Sequence, residues 1–147
     1  MTVDVLTEIE IQRPRDVVSA FAVDPSNATA WYKNIRSIEW ETPPPAAVGS
    51  RVRFVARFLG KTLQYTYEVR ELEPGRRLVM STDRGPFPME TIYTWEDAAD
   101  GVTRMTLRNR GEASGFLAWS AALMARAMRR ANEADLRRLK DLLERRA

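Results

Sequence analysis

The sequence predicts an α+β fold in which one long C-terminal helix packs on an antiparallel sheet. Three observations predict it. After Gly115 the chain contains no further Gly or Pro, so nothing interrupts a helix of about thirty residues, roughly 45 Å long. Upstream, apolar and polar residues alternate with a period of two in short segments divided by turn signals, the pattern of half-buried strands. Finally, a helix of that length cannot bury its apolar stripe against itself, so its partner is the sheet.

In chain order, Thr2 to Gln12 opens with Val3, Val5, Thr7, Ile9 and Ile11 on one side and Asp4, Leu6, Glu8 and Glu10 on the other. This is a strand with one wet face. Arg13-Pro14 ends it, and Pro14 suits the first turn of a short helix, Arg15 to Val23. Asp24-Pro25-Ser26 breaks that helix and caps a second, Asn27 to Tyr32. Ile35 to Glu41 is a strand, and Thr42-Pro43-Pro44-Pro45 is a stiff loop unable to join a ladder.

Arg51 to Leu59 alternates again, with Val52, Phe54, Ala56 and Phe58 as its inner row. Gly60-Lys61 turns the chain into a strand whose inner row is Leu63, Tyr65, Tyr67 and Val69. Glu73-Pro74-Gly75-Arg76 has Pro and Gly in the central places of a type II turn. Leu78 and Met80 mark the next strand, and Asp83-Arg84-Gly85-Pro86 the next turn. Met89 to Glu96 carries two inward candidates, Ile92 or the row Thr91, Tyr93 and Trp95; the reading favours the row. Asp100-Gly101 signals a hairpin into Val102 to Arg110, with Thr103, Met105, Leu107 and Asn109 inward. Gly111 to Gly115 reads as a flexible link into the helix. Its stripe runs Leu117, Ala121, Met124, Met128, Ala131, Leu136, Leu139, Leu142 and Leu143, widened by Phe116, Trp119 and Leu123. Hairpin-length links make the six later strands antiparallel.

At 147 residues the chain is read as one domain spanning 1–147, large enough to bury about two thirds of its unfolded surface. No apolar run approaches the ~20 residues of a membrane span, and no stable membrane insertion is expected. The start, MTVDVLTEIEI, places acids where a signal peptide needs a basic, then apolar, stretch, so a cytoplasmic location is expected. The chain has no Cys and no His. That excludes thiolate chemistry, the usual Ser-His-Asp and Cys-His nucleophile systems, and every His-containing metal site. No Asp-rich calcium or magnesium loop is present, and neither a metal nor a cofactor is expected. The net charge of +3 gathers in residues 126–147, where eight Arg or Lys meet four Asp or Glu. With acids interleaved and no accompanying motif, this is a solvated helix face, and nucleic acid is not an expected partner.

The order strand, two short helices, six-strand meander and long helix resembles the START-like superfamily. That group includes the birch-pollen-allergen-like proteins and the bacterial polyketide cyclase/dehydrase and lipid-transport family, often called SRPBCC. The matching residues are Ile9 to Arg36, IEIQRPRDVVSAFAVDPSNATAWYKNIR, and Val48-Gly49-Ser50 leading into strands that end YEVRELEPGRRLVM, Tyr67 to Met80. The likeness spans nearly the whole chain, but its motifs are structural rather than catalytic. It implies a helix-grip fold, a seven-stranded sheet curled around the C-terminal helix, with a hydrophobic cavity between them.

Geometry independent of the family agrees. A helix 10–12 Å across covers two or three strands spaced about 4.8 Å apart, so a seven-stranded wall has inner surface left over. The remaining inward residues either meet one another or bound a space. The walls of such a space are Phe54, Phe58, Tyr65, Tyr67, Met80, Thr91, Tyr93, Leu107 and Asn109 from the sheet, with Trp119 and Leu123 from the helix. Trp31 and Tyr32 stand at the corner as an entrance. Asn109 is the most informative of these, being polar and inward on the last strand. Asp135 lies inside the helix stripe, either as a buried acid or as a cap or ion-pair partner of Arg138.

Three functions follow. The first is binding of a hydrophobic or aromatic small molecule, such as a lipid, quinone or polyketide-like compound. The second is a polyketide cyclase or dehydratase with Tyr65 as its weak catalytic candidate; Arg53, the cation that would assist it, falls on the outer row. The third is a co-chaperone-like interaction module. The reading favours binding over catalysis and leaves the oligomeric state open.

Overall fold

The computed structural model describes residues 2–58, 60–84, 88–112 and 121–146. Seven strands, β1 (Thr2–Ile11), β2 (Ile35–Trp40), β3 (Arg51–Phe58), β4 (Lys61–Glu73), β5 (Arg77–Arg84), β6 (Met89–Ala99) and β7 (Val102–Glu112), form one antiparallel sheet in the order β1-β7-β6-β5-β4-β3-β2. The six later strands are a plain meander, and the first returns to pair with the last. Between β1 and β2 lie α1 (Arg15–Val23), a 3₁₀ turn (Pro25–Asn27) and α2 (Ala28–Trp31). The chain ends in α3 (Ala121–Arg145).

Local chemistry accounts for the joints. Asp24 accepts a hydrogen bond from the backbone N–H of Ser26 at 2.9 Å, capping the 3₁₀ turn that Pro25 starts. At Glu73–Arg76 the N–H of Arg76 donates to the carbonyl of Glu73 at 2.9 Å, with Gly75 at φ 77°, as a type II turn requires. Register shifts in β4 between Thr66 and Glu68 and between Val69 and Glu71 bend the wall, because a bulge adds a residue to one strand and deepens its twist.

Inner-row assignments agree with burial. Val3, Val5, Thr7 and Ile11 of β1 and Thr103, Met105, Leu107 and Asn109 of β7 are buried on one face. Arginines and carboxylates occupy the other face: Arg108 meets Asp4 at 2.6 Å, and Arg104 lies 3.0 Å from Glu96 and 3.2 Å from Glu10. Several limits differ from expectation: β6 runs to Ala99 rather than ending at Glu96, and α2 is shorter than Asn27 to Tyr32. Gly111 and Glu112 belong to β7 rather than to a flexible link, since Gly111 pairs with both Val3 and Met89. Strand β5 continues through Arg84, past the expected turn start at Asp83, while Gly85 and Pro86 lie outside the described residues, as do Leu59 and the expected helix start at 116–120.

Helix α3 does not lie along the middle of the sheet. Its close backbone approach is to β1 and, at the corner, to α2. Arg129 donates to the carbonyl of Leu6 at 2.9 Å and Lys140 to that of Glu10 at 3.0 Å, while Glu144 accepts from the N–H of Gln12 at 2.8 Å. The helix thus occupies the open edge of β1, a row of backbone groups that would otherwise invite pairing by another chain. Its two halves pack differently. Leu136, Leu139 and Leu143 join Ile11, Val18, Trp31 and Met105 in the main core. Met124 and Met128 join Val3, Val5, Leu63 and Tyr65 in a second cluster. Among the described residues no helix is long and apolar enough to cross a membrane.

Candidate ligand-binding cavity

Because α3 is drawn to the β1 edge, the inner faces of β2 to β6 are incompletely covered. The uncovered surface encloses a cavity of about 150 Å³, partly open to solvent. Its walls come from four directions. Strands β3 and β4 supply Phe54, Ala56, Phe58, Leu63, Tyr65 and Tyr67; β5, β6 and β7 supply Met80, Met89, Thr91, Tyr93 and Asn109. The corner supplies Tyr32, Asn34 and Ile35, and α3 supplies Met128, Ala131, Asn132 and Asp135. All four tyrosines of the chain are in this lining.

The aromatic rings stack in two runs. Phe54 meets Tyr67 edge-on at 5.7 Å, with Tyr65 6.0 Å beyond. Tyr32 lies 4.1 Å from Trp31, which is followed by Tyr93 at 5.8 Å from Trp31 and Trp95 at 6.0 Å from Tyr93. Within this apolar frame the hydroxyls are paired: Tyr32 with Tyr93, and Thr91 with Tyr67 at 3.2 Å and with Asn109 at 2.8 Å. Burial disfavours the phenolate and pushes Tyr67 up to about 12 despite its bond to Thr91, and it raises Tyr32, Tyr65 and Tyr93 as well. These phenols are hydrogen-bonding groups and not bases at neutral pH.

Among the described lining residues Asp135 is the only carboxylic acid, and it is 3% exposed. Burial raises its pKa to about 6, against the opposing pull of the Lys33 backbone N–H and the charges of Arg138 and Lys33. The two sequence-level readings of Asp135 are both realised: it is buried, and Arg138 lies 3.6 Å away.

Of the residues nominated from sequence, Phe54, Phe58, Tyr65, Tyr67, Met80, Thr91, Tyr93, Asn109 and Tyr32 meet around this space. Four others do not. Leu107 has the inward parity but is fully covered in the main core, one pair short of the cavity that Asn109 reaches. Trp31 is 1% exposed and is a core residue rather than an entrance. Leu123 is 47% exposed: the buried stripe runs through Met124 and Met128, and a residue one step from Met124 is rotated off it. Trp119 lies outside the described residues. Arg53, considered beside Tyr65, is bound to Glu39 at 2.7 Å on the opposite face.

The sequence reading missed Asn34, Ile35, Ala56, Leu63, Met89, Met128, Ala131 and Asn132 as wall residues. For Asn132 the signal was present, since it follows Met128 by four positions and precedes Leu136 by four, a polar residue on an apolar stripe. Its amide nitrogen is buried with no hydrogen-bond partner among the described residues.

A curled antiparallel sheet closed by a C-terminal helix over such a cavity is the helix-grip architecture of START-like proteins. The chain belongs to the family described as polyketide cyclase / dehydrase and lipid transport, whose model matches residues 2–144. Among solved structures it is similar to a START superfamily protein from Mycobacterium smegmatis, with a TM-score of 0.85 at 12% identity, covering 98% of this chain and 99% of that one. It is similar also to the ZhuI aromatase/cyclase from Streptomyces sp. R1128, with a TM-score of 0.80 at 17% identity over 99% and 96% of the two chains. Ginseng major latex-like protein 151 from Panax ginseng gives 0.74 at 12% identity over 95% and 96%. At these identities the likeness shows a shared fold. Among curated proteins, none matches the chain significantly in sequence.

Proposed function

We propose that the protein binds a small hydrophobic or aromatic molecule in the cavity between the sheet and α3. The observation that carries this reading is the cavity itself, whose aromatic and aliphatic walls are interrupted by a few fixed polar groups, the composition of a small-molecule site. An apolar cavity of about 150 Å³ accommodates roughly a benzene ring, and the partial opening lets a larger molecule extend outward. Met80, Met89 and Met128 give three walls unbranched side chains that adapt to different shapes. The family includes proteins of lipid transport and polyketide chemistry, which supports a ligand of this general kind.

Binding is tested by titrating the full chain with naphthalene while following backbone amides by NMR. Saturable one-to-one binding that perturbs β3, β4, β6 and the middle of α3 is the expected result. No perturbation there, together with no hydrophobic molecule co-purifying under native mass spectrometry, overturns the reading.

A second reading, a cyclase or dehydratase, is favoured by one observation: a carboxyl group raised to about 6 stands near the hydrogen-bonded Tyr32–Tyr93 pair. A group with that pKa exchanges protons near neutral pH. Turnover of a model polyketone that is lost in Asp135→Asn would support catalysis; unchanged turnover would remove Asp135 from it. Tyr65 has less support as a catalyst, because its phenol is held protonated and Arg53 faces away from it.

A further inference from the structure

The cavity wall carries hydrogen-bond donors that the protein does not use. Thr91 has one hydroxyl hydrogen, and the acceptor-only Oδ1 of Asn109, 2.8 Å away, takes it. The same hydroxyl is directed more weakly at the Tyr67 oxygen, 3.2 Å away, so the phenol accepts from Thr91 and keeps its own hydrogen. This chain of bonds fixes the amide of Asn109 with its oxygen engaged, and its NH₂ has no acceptor among the described residues. Asn132, which lines the same cavity from α3, is 6% exposed, and its amide nitrogen is likewise without an acceptor among the described residues. The Tyr32–Tyr93 pair shares one hydrogen between its two oxygens and leaves the other hydrogen over. Buried polar groups are seldom left unsatisfied in native proteins, so donors gathered around one space call for an acceptor in it.

We infer that Asn132 on α3 and Asn109 on β7 form a two-sided amide grip for carbonyl oxygens, which makes the ligand a neutral aromatic ketone or diketone. The inference rests on the proposed binding function and selects within it. A hydrocarbon leaves the two amides unpaired. An acid headgroup inside the cavity meets the like charge of Asp135, the one carboxylate among the described lining residues. A neutral carbonyl compound satisfies the donors and avoids the repulsion.

The test is a calorimetric titration of the full chain at pH 7.5 with 1,4-naphthoquinone, naphthalene and 1-naphthoate. The chain has no cysteine for the quinone to alkylate. The expected order is quinone tightest, by about tenfold or more over naphthalene, a ratio that one net hydrogen bond supplies. Naphthoate is expected to be weakest. Asn132→Leu should lower quinone affinity about tenfold and leave naphthalene affinity unchanged or higher. The ranking of the three compounds on the unmodified chain stands as a test even if that variant fails to fold. Quinone and naphthalene affinities within threefold of each other, naphthoate binding tightest, or an equal loss for both neutral ligands in Asn132→Leu would overturn the grip while leaving cavity binding intact. Failure of all three compounds to bind would overturn the binding function, and the grip with it.

Discussion

The backbone N–H of Lys33 donates to Oδ1 of Asp135 across 3.0 Å, joining the end of the α2 corner to the middle of α3. The bond spans 102 residues of sequence and ties the helix to the far side of the cavity from β1. It stabilises the carboxylate but does not fully offset the burial that raises Asp135 to about 6 from 3.8. The folded chain therefore retains a proton that the unfolded chain releases between about pH 4 and 6. Stability falls as pH rises through that window, by up to about 3 kcal/mol from this group. Asp135→Asn keeps an oxygen for Lys33 and removes the titration. Urea unfolding at pH 4 and at pH 7 should show the parent chain losing stability relative to the variant, which is the more stable of the two at pH 7. Parallel pH profiles would show that Asp135 titrates normally.

All four tyrosines line one cavity and burial raises all their pKa values, Tyr67 up to about 12. In the unfolded chain they ionise near 10, so stability is lost as pH climbs above 10. Spectrophotometric titration should show no tyrosinate absorbance until the near-UV circular dichroism collapses, and then four phenols ionising together. One tyrosine titrating near pH 10 in folded protein would place it at the surface.

Gly111 sits where β7 passes β6 and the start of β1. A Cβ at this position would run into the carbonyl oxygen of Pro88 and lie 3.0 Å from Cα of Met89. Both obstacles are backbone, so neither rotates away. Gly111→Ala should destabilise by about 2 kcal/mol, in the range of overpacking substitutions, as measured by chemical denaturation. A change under 0.5 kcal/mol would mean that the β6–β7 ladder shifts freely at this end.

Ala56 of β3 and Ala131 of α3 both line the cavity and are partly exposed. Replacing Ala131 with Leu fills space with side chain while keeping a good helix former. Affinity for naphthalene should drop at least tenfold, with the melting temperature within a few degrees of the parent. Retained affinity would place the ligand elsewhere.

Much of the wall was legible because a strand has a period of two: once Phe54 or Tyr65 faces inward, its register mates follow. Asn109 was found in this way. Parity gives the face, however, and not what covers it. Leu107 and Asn109 share a row, yet Leu107 is sealed in the core and Asn109 borders the cavity. The difference comes from α3 lying toward β1, which depends on long-range bonds such as Arg129 to Leu6 and Lys140 to Glu10. No local pattern encodes those pairings. Trp31 was misplaced for the same reason, since the packing that buries it involves α3, far along the chain. Asn132 required only that the helix stripe be read for its polar interruptions.

The unequal packing of α3 has an evolutionary corollary. Its leucine-rich end anchors the molecule, while its positions bordering the hollow are methionine, alanine, asparagine and aspartate. Positions 131 and 132 lie outside both buried clusters that hold α3, so they can change with less loss of packing than the leucines or the buried methionines. Selection on the shape of the hollow and selection for foldedness act on different parts of the same rod.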